Sequence, residues 1–373
     1  MAAFPVVDIS HFTRGATSAG TQRAKHELAR RVDEVCRETG FLAIVGHGVS
    51  SQIIDRGWDA ARKFFDLPLE KKLEVKMPYV GYPYGYSPLQ AEALAKSLGE
   101  ETPPDLKESF SIGPLHPGPR DQNDPDADFR YAANLWPREP REFRAAWTAY
   151  YEALGDLAGR IMRIFALGLD LREDFFEPML DDPISALRAL NYPHPSQAPR
   201  AGQLRAGAHS DYGSLTILLA DSAPGRLEIR TPAGAWEPVP IEPGAFVVNI
   251  GDLMARWTND RWVSTLHRVV NPPPDAGGST RRQSIAFFHQ PNWEAVIQCI
   301  PTCLAPGEKP KYAPVGSGAH LMEKFHRSVK IGTAARAKGT ARNSASGFLV
   351  GARHAVPGAI GARRKFFERR KVG

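Results

Sequence analysis

The chain has 373 residues, 42% hydrophobic and 24% charged, with three cysteines and a formal net charge of +6. This composition suits a globular protein of one large domain or two; it excludes a disulfide-stapled scaffold, and no run approaches the ~18 apolar residues that span a bilayer. Charge is unevenly placed: residues 330–373 hold eleven Lys/Arg against Glu368 alone, which leaves residues 1–329 with 36 basic and 40 acidic side chains, so the basic balance says nothing about what the body binds.

The opening MAAFPVVDIS lacks the basic end and apolar stretch of a signal peptide, and with so few cysteines the expected location is cytoplasmic. Residues 4–9 read as a strand. Leu28, Val32 and Val35 predict a helix over 19–39 that Gly40 ends. Residues 41–45 predict a short strand, Gly46-His47-Gly48 a turn, and 51–65 a second helix. Residues 66–140, rich in Pro, Gly and Tyr, predict long loops with few regular elements. Over 142–170, Trp147, Tyr151, Leu154, Leu157, Ile161 and Ile164 fall largely on one face, the strongest helix signal in the chain.

From Ile184 short apolar runs alternate with turn signals, at 185–192, 214–220, 226–230, 245–250, 266–270 and 283–289. That spacing predicts an all-β sandwich or barrel rather than a parallel α/β sheet. The expected fold is mainly β with helical support: an α-rich N-terminal region over 1–170, a β core over 171–329, and a basic tail over 330–373.

The chemistry concentrates in four places. His209-Ser210-Asp211 is answered far downstream by His267, and two imidazoles with one carboxylate are the facial ligand set that holds non-haem Fe(II) and leaves positions open. On a strand, His209 and Asp211 would share a face, and His267 would close the set from a neighbouring strand. Zinc hydrolysis by the same ligands is the alternative. Arg282 and Ser284 are also two apart; an inward arginine fork with a serine hydroxyl can hold a carboxylate, while the adjacent Arg281 must face away. Tyr192 is a further phenol donor. Cys299 and Cys303 lack partners at zinc-site spacing and read as buried thiols.

With these residues in view, the chain resembles the isopenicillin N synthase-like branch of the Fe(II)/2-oxoglutarate-dependent oxygenases over roughly residues 4–326. The likeness lies in FPVVDIS, GFLAIVGHGV and FFDLPLEKK, then in LNYPHP, AGAHSDYGSLTILLAD, VNIGDLMARWTNDRWVSTLHRVVNP and RRQSIAFFHQPN. It implies a double-stranded β-helix, or jelly-roll, core. It implies iron at His209, Asp211 and His267, and the distal carboxylate of 2-oxoglutarate at Arg282, Ser284 and Tyr192, with Asn249 and Asp252 in supporting roles.

The activity implied is oxidation of a small molecule by O2 and 2-oxoglutarate (hydroxylation, desaturation or ring closure), with release of succinate and CO2. Isopenicillin N synthase and aminocyclopropane carboxylate oxidase relatives keep the triad without using 2-oxoglutarate, and FHQPNWEA is also similar to ethylene-forming enzymes. A silent binding module is a further class. Substrate-selective positions are expected at residues 79–86, where Tyr79, Tyr82, Tyr84 and Tyr86 can line a pocket, near Arg205 and around Phe288. The resemblance ends near Phe325. No nucleic-acid partner is expected for the body; the tail is expected to be a solvated extension, with contact to an anionic surface as the alternative.

Overall fold

Side-chain alternation along a few strands decides which surface becomes core and which becomes site. The fold is a computed structural model that describes residues 4–13, 19–100, 102–195 and 197–329. The tail expected from residue 330 lies outside the described residues. In chain order the N-terminal part supplies β1 (Val6–Asp8), α1 (Ala19–Glu38), β2 (Phe41–Val45), α2 (Ser51–Phe65), α3 (Leu69–Leu73), β3 (Gly85–Ser87), β4 (Glu108–Ile112), α4 (Ala127–Arg130) and α5 (Phe143–Gly168). The remainder supplies β5 (Ala186–Tyr192), β6 (Ala206–His209), β7 (Leu215–Ala220), β8 (Leu227–Arg230), β9 (Trp236–Pro238), β10 (Phe246–Ile250), α6 (Asp252–Trp257), β11 (His267–Val269), β12 (Arg282–His289) and α7 (Ser317–Val329).

An eight-stranded sheet runs β1-β2-β10-β7-β12-β5-β4-β3 and faces a four-stranded sheet ordered β6-β11-β8-β9. Two facing, almost wholly antiparallel sheets form the jelly roll expected above. The larger sheet crosses the boundary drawn at residue 170, because β1 to β4 join β5, β7, β10 and β12 in one ladder. β3 and β4 lie inside the stretch expected to be mostly loop. The signal for β4 was present: in ESFSI, Phe110 and Ile112 alternate with Ser109 and Ser111, period two with both serines on one side.

The odd positions of β5 and β12, including Leu187, Ala189, Ile285 and Phe287, pack with α1, α2 and α5 in the main core. The aromatic cluster Phe64, Phe110, Phe143 and Trp147 sits there, with Phe143 and Trp147 stacked at 4.8 Å. The even positions face the smaller sheet, so Leu190, Tyr192 and Leu218 meet Ala206, Leu227, Ile229 and Val269 in a second cluster. One face of each central strand is therefore structural, and the other is free to carry chemistry.

Asp33 of α1 locks the helical layer to the segment that feeds β11. Its carboxylate accepts from Trp262 Nε1 at 2.7 Å, from Arg261 Nε at 3.1 Å and Nη2 at 3.0 Å, and from Arg37 Nε at 2.9 Å. Removing this carboxylate strands a largely buried guanidinium and an indole N–H. Asp33→Ala is expected to cost about 3–5 kcal/mol, read as a lowered urea midpoint at unchanged slope; a loss below about 1 kcal/mol, the scale of an exposed pair, would contradict it.

Candidate metal centre and cosubstrate site

His209 and His267 are direct cross-strand partners in the β6–β11 ladder, with ring centroids 4.3 Å apart. The register slips beside them, since His267 opposes His209 while Val269 opposes Ala206. Four residues of β6, Ala206 to His209, thus oppose three of β11, His267 to Val269, a bulge that re-aims a side chain at a strand end. Each ring Nδ1 lies against a carbonyl two residues earlier, Gly207 O at 2.8 Å for His209 and Thr265 O at 3.1 Å for His267. With Nδ1–H donating there, each Nε2 keeps its lone pair for the space between the sheets.

Asp211 completes the group, but not by strand alternation. β6 ends at His209, and Asp211 lies in the loop beyond it. The loop is held by close backbone contact: a Cβ at Gly251 would lie 2.2 Å from Gly213 O, and one at Gly213 would lie 2.3 Å from His289 O. That approach lets Asp252 N donate to Asp211 O at 2.8 Å. Asp211 Oδ2 accepts from Thr216 Oγ1 at 2.6 Å and Asn249 Nδ2 at 2.8 Å. Oδ1 is left facing His267 Nε2 at 3.7 Å. Among the described residues, these three side chains are the group able to hold a metal ion, their ligand atoms all within 4.8 Å of one another.

The electrostatics agree with a cation site. Burial, then His267, pushes the His209 imidazole down to about 3, so it stays neutral at ordinary pH. Burial works against the Asp211 charge, but the two imidazoles and the hydrogen bonds from Asn249 and Thr216 outweigh it and hold the carboxyl below its usual range.

Farther along the inner face, Arg282 and Ser284 share one side of β12. Arg282 is 2% exposed, its Nε has no hydrogen-bond partner, and Nη1 reaches only Ser284 Oγ at 3.4 Å. Its guanidinium stands 5.1 Å from the ring centroid of Tyr192, its direct partner on β5. Arg281 faces away, donating from Nε to Asn191 Oδ1 at 2.8 Å and pairing with Asp66. A buried guanidinium without an acid partner is costly, so the cradle fits a dicarboxylate.

Known proteins bear directly on this geometry. Residues 4–139 match the model for the N-terminal region of non-haem dioxygenases in morphine synthesis, and residues 184–291 match the 2OG-Fe(II) oxygenase superfamily. The 2-oxoglutarate-Fe(II) type oxidoreductase hxnY of Emericella nidulans is 36% identical over 83% of this chain and 86% of its own length. The chain belongs to the 2OG-Fe(II) oxygenase superfamily. Homoarginine-6-hydroxylase 2-ODD-233 of rice is 34% identical over 86% of this chain and 96% of its own. A full-length Neurospora crassa protein, crystallised in complex with alpha-KG and thymine, superposes with a TM-score of 0.72 at 30% identity, covering 86% of this chain and 96% of that one.

This superfamily member is thus a 2-oxoglutarate-dependent dioxygenase that uses Fe(II), 2-oxoglutarate and O2 and acts on a small molecule. Among the described residues no helix is long and apolar enough to cross a membrane. The four tyrosines expected to line one pocket do not gather. Tyr86 joins the main core with its hydroxyl on Glu108 at 2.5 Å, Tyr84 is buried, and Tyr79 is half exposed against Tyr82. In the loop expected to help select substrate, Arg205 itself is buried: it donates to the carbonyls of Pro224 and Thr280 and stands 5.9 Å from the Tyr192 ring centroid. Burial, then Arg282, holds its pKa down to about 10. Thr216 was missed, because only the folded loop brings its hydroxyl to Asp211.

Two outcomes follow from this geometry. Asn249→Ala leaves all three candidate ligands in place but frees Asp211 to swing, so Fe(II) affinity is expected to fall about 10- to 100-fold in an anaerobic titration; unchanged affinity would contradict the orienting role. His289, buried with Nδ1 2.7 Å from Ser214 Oγ, is pushed by burial to about 4, below its ordinary 6.5. Its folded pKa is depressed, as is that of His209, so the unfolded chain binds more protons between those values. The metal-free protein is expected to be most stable above pH 6.5 and to lose melting temperature as pH falls toward 4; a flat profile through that window would exclude the linkage.

Proposed function

We propose that His209, Asp211 and His267 hold the Fe(II), that Arg282 with Ser284 and Tyr192 holds the distal carboxylate of 2-oxoglutarate, and that the enzyme oxidises a C–H bond of a small molecule, with hydroxylation as the favoured outcome. The observation that carries the reading is Arg282: buried, its Nε unpartnered, on the same inner face as Ser284. A dicarboxylate supplies the missing acceptor in a bidentate geometry. Iron and 2-oxoglutarate held there would supply O2 activation: O2 would be the oxidant, and the 2-oxo acid, decarboxylated to succinate and CO2, would take one of its oxygen atoms and two of its four oxidising equivalents.

The chain's own side chains set the geometry for that chemistry. The backbone carbonyls of Gly207 and Thr265 orient the two imidazoles. Thr216 and Asn249 hold one oxygen of Asp211 and turn the other inward. Tyr192 offers its ring face to Arg282, which limits how the guanidinium can rotate. The apolar cluster of Leu190, Leu218, Leu227 and Ile229 between the sheets keeps water from the cosubstrate's path. Hydroxylation is supported by relatives: the rice protein is named a homoarginine-6-hydroxylase, and the Neurospora crassa protein was crystallised with thymine and with 5-formyluracil.

The test is anaerobic titration with Fe(II) and 2-oxoglutarate, following the visible charge-transfer band, then succinate after air is admitted. A band and succinate are expected. Arg282→Ala is expected to raise the 2-oxoglutarate requirement about 10- to 100-fold, the scale of lost charge-assisted hydrogen bonds; an unchanged requirement would remove Arg282 from the cosubstrate site.

A further inference from the structure

The inner face of the large sheet continues past Arg282 and Ser284 into a polar patch that the cosubstrate does not use. On β5, Arg188 lies two residues before Leu190, which faces the smaller sheet, so its side chain emerges on the same side as Tyr192 and, across the ladder, Ser284. On β4, Phe110 and Ile112 point into the main core, so Ser109 and Ser111 point to this inner side as well. Arg188 Nε donates to Ser111 Oγ at 2.8 Å, and Nη1 stands 3.6 Å from Glu92 Oε2. Among the described residues Ser109 Oγ, in a residue 1% exposed, has no hydrogen-bond partner, and neither does Glu92 Oε2.

The charges here cancel. Glu92 Oε2 is 3.3 Å from Lys107 Nζ, which pairs with Asp105 Oδ2 at 3.0 Å. Burial opposes both charges, yet Arg188 and Lys107 hold Glu92 down to about 2, while Glu92 and Asp105 keep Lys107 raised. Two cations and two anions sum to zero. A charged ligand would leave one buried charge unmatched, whereas an uncharged ligand leaves the balance intact. A guanidinium fork beside a carboxylate and a free hydroxyl offers donors next to acceptors.

On the same face of β12, Phe288 is half-buried between Ala186 and Thr216 in the ladder, and no described aromatic ring packs against it. Thr216 is the residue that holds Asp211, so this ring lies beside the candidate metal centre. A planar ligand is what such a free ring face stacks.

We infer that Arg188, Glu92 and Ser109 form the substrate-recognition edge, and that the substrate is a small, uncharged, planar ring with a carbonyl acceptor beside an N–H donor, as in a lactam or cyclic imide. The inference rests on the proposed iron and 2-oxoglutarate site. Its test uses full-length enzyme loaded anaerobically with Fe(II) and 2-oxoglutarate, and three probes: thymine (neutral cyclic imide), benzoate (anion) and homoarginine (cationic side chain). Binding is read by equilibrium dialysis and by the shift each probe causes in the charge-transfer band. Thymine is expected to bind in preference to the other two. Arg188→Gln and Glu92→Gln are each expected to weaken it about 10- to 100-fold, with 2-oxoglutarate affinity unchanged as evidence of an intact fold. Preference for benzoate or homoarginine, or binding of none of the three by wild-type loaded enzyme, overturns the substrate class. Thymine binding that both variants retain overturns the assigned residues. Failure of wild type to bind Fe(II) and 2-oxoglutarate at all is a different result: it overturns the underlying site and this inference with it.

Discussion

The cross-strand pairing of His209 with His267 is the contact on which the site depends. Each histidine alone is a polar side chain near a strand end. Paired across the ladder and fixed by Nδ1 contacts to carbonyls two residues earlier, they present two nitrogens to one point. The bulge in β6 and the glycine-to-backbone approach at Gly213 and Gly251 then bring a carboxylate from outside the ladder to the same point. The second layer is as specific as the first: Thr216 and Asn249 neutralise one oxygen of Asp211 and leave the other free.

The larger sheet explains how a site this polar survives between two sheets. Its outer face packs with α1, α2 and α5 in the main core, while its inner face makes a smaller apolar cluster with the facing sheet. The inner face then has room for Arg282, Arg188 and Lys107, and the residue before β6 on the facing side adds Arg205, each a liability in an ordinary core. Arg205 and Lys107 find carbonyl or carboxylate partners within the protein. Arg282 Nε does not, and Arg188 reaches Glu92 only at 3.6 Å. Groups left incomplete in the folded chain are where ligands are expected to complete them.

The helical layer contributes more than support. Through Asp33, α1 grips Arg261 and Trp262 a few residues before His267, which ties the segment leading into β11 to the helical layer. The N-terminal segment also supplies β4, and with it Ser109, Ser111 and Lys107 of the polar inner patch. The proposed recognition edge therefore joins Glu92 and Ser109 of the N-terminal part to Arg188 of β5, whereas the candidate metal ligands all come from the later part of the chain. An edge assembled partly from the N-terminal segment suits a superfamily whose relatives include proteins named for oxidising, or crystallised with, different small molecules.

Residue type and spacing alone were enough for the local parts: helices over 19–38, 51–65 and 143–168, the main strands of the β core, and the opposite facing of Arg281 and Arg282. These depend on periodicities of two and 3.6, which any stretch of sequence displays by itself. Tertiary structure decided the rest. Asp211 lies off its expected strand because backbone packing around two glycines, not alternation, sets its position. The tyrosines of 79–86 scatter because their surroundings come from β4, α2 and the loop near Ala133. The pairing of Glu92 with Arg188 and Lys107 joins residues distant in the chain. Such contacts are properties of chain crossings, and no local pattern encodes which crossings form.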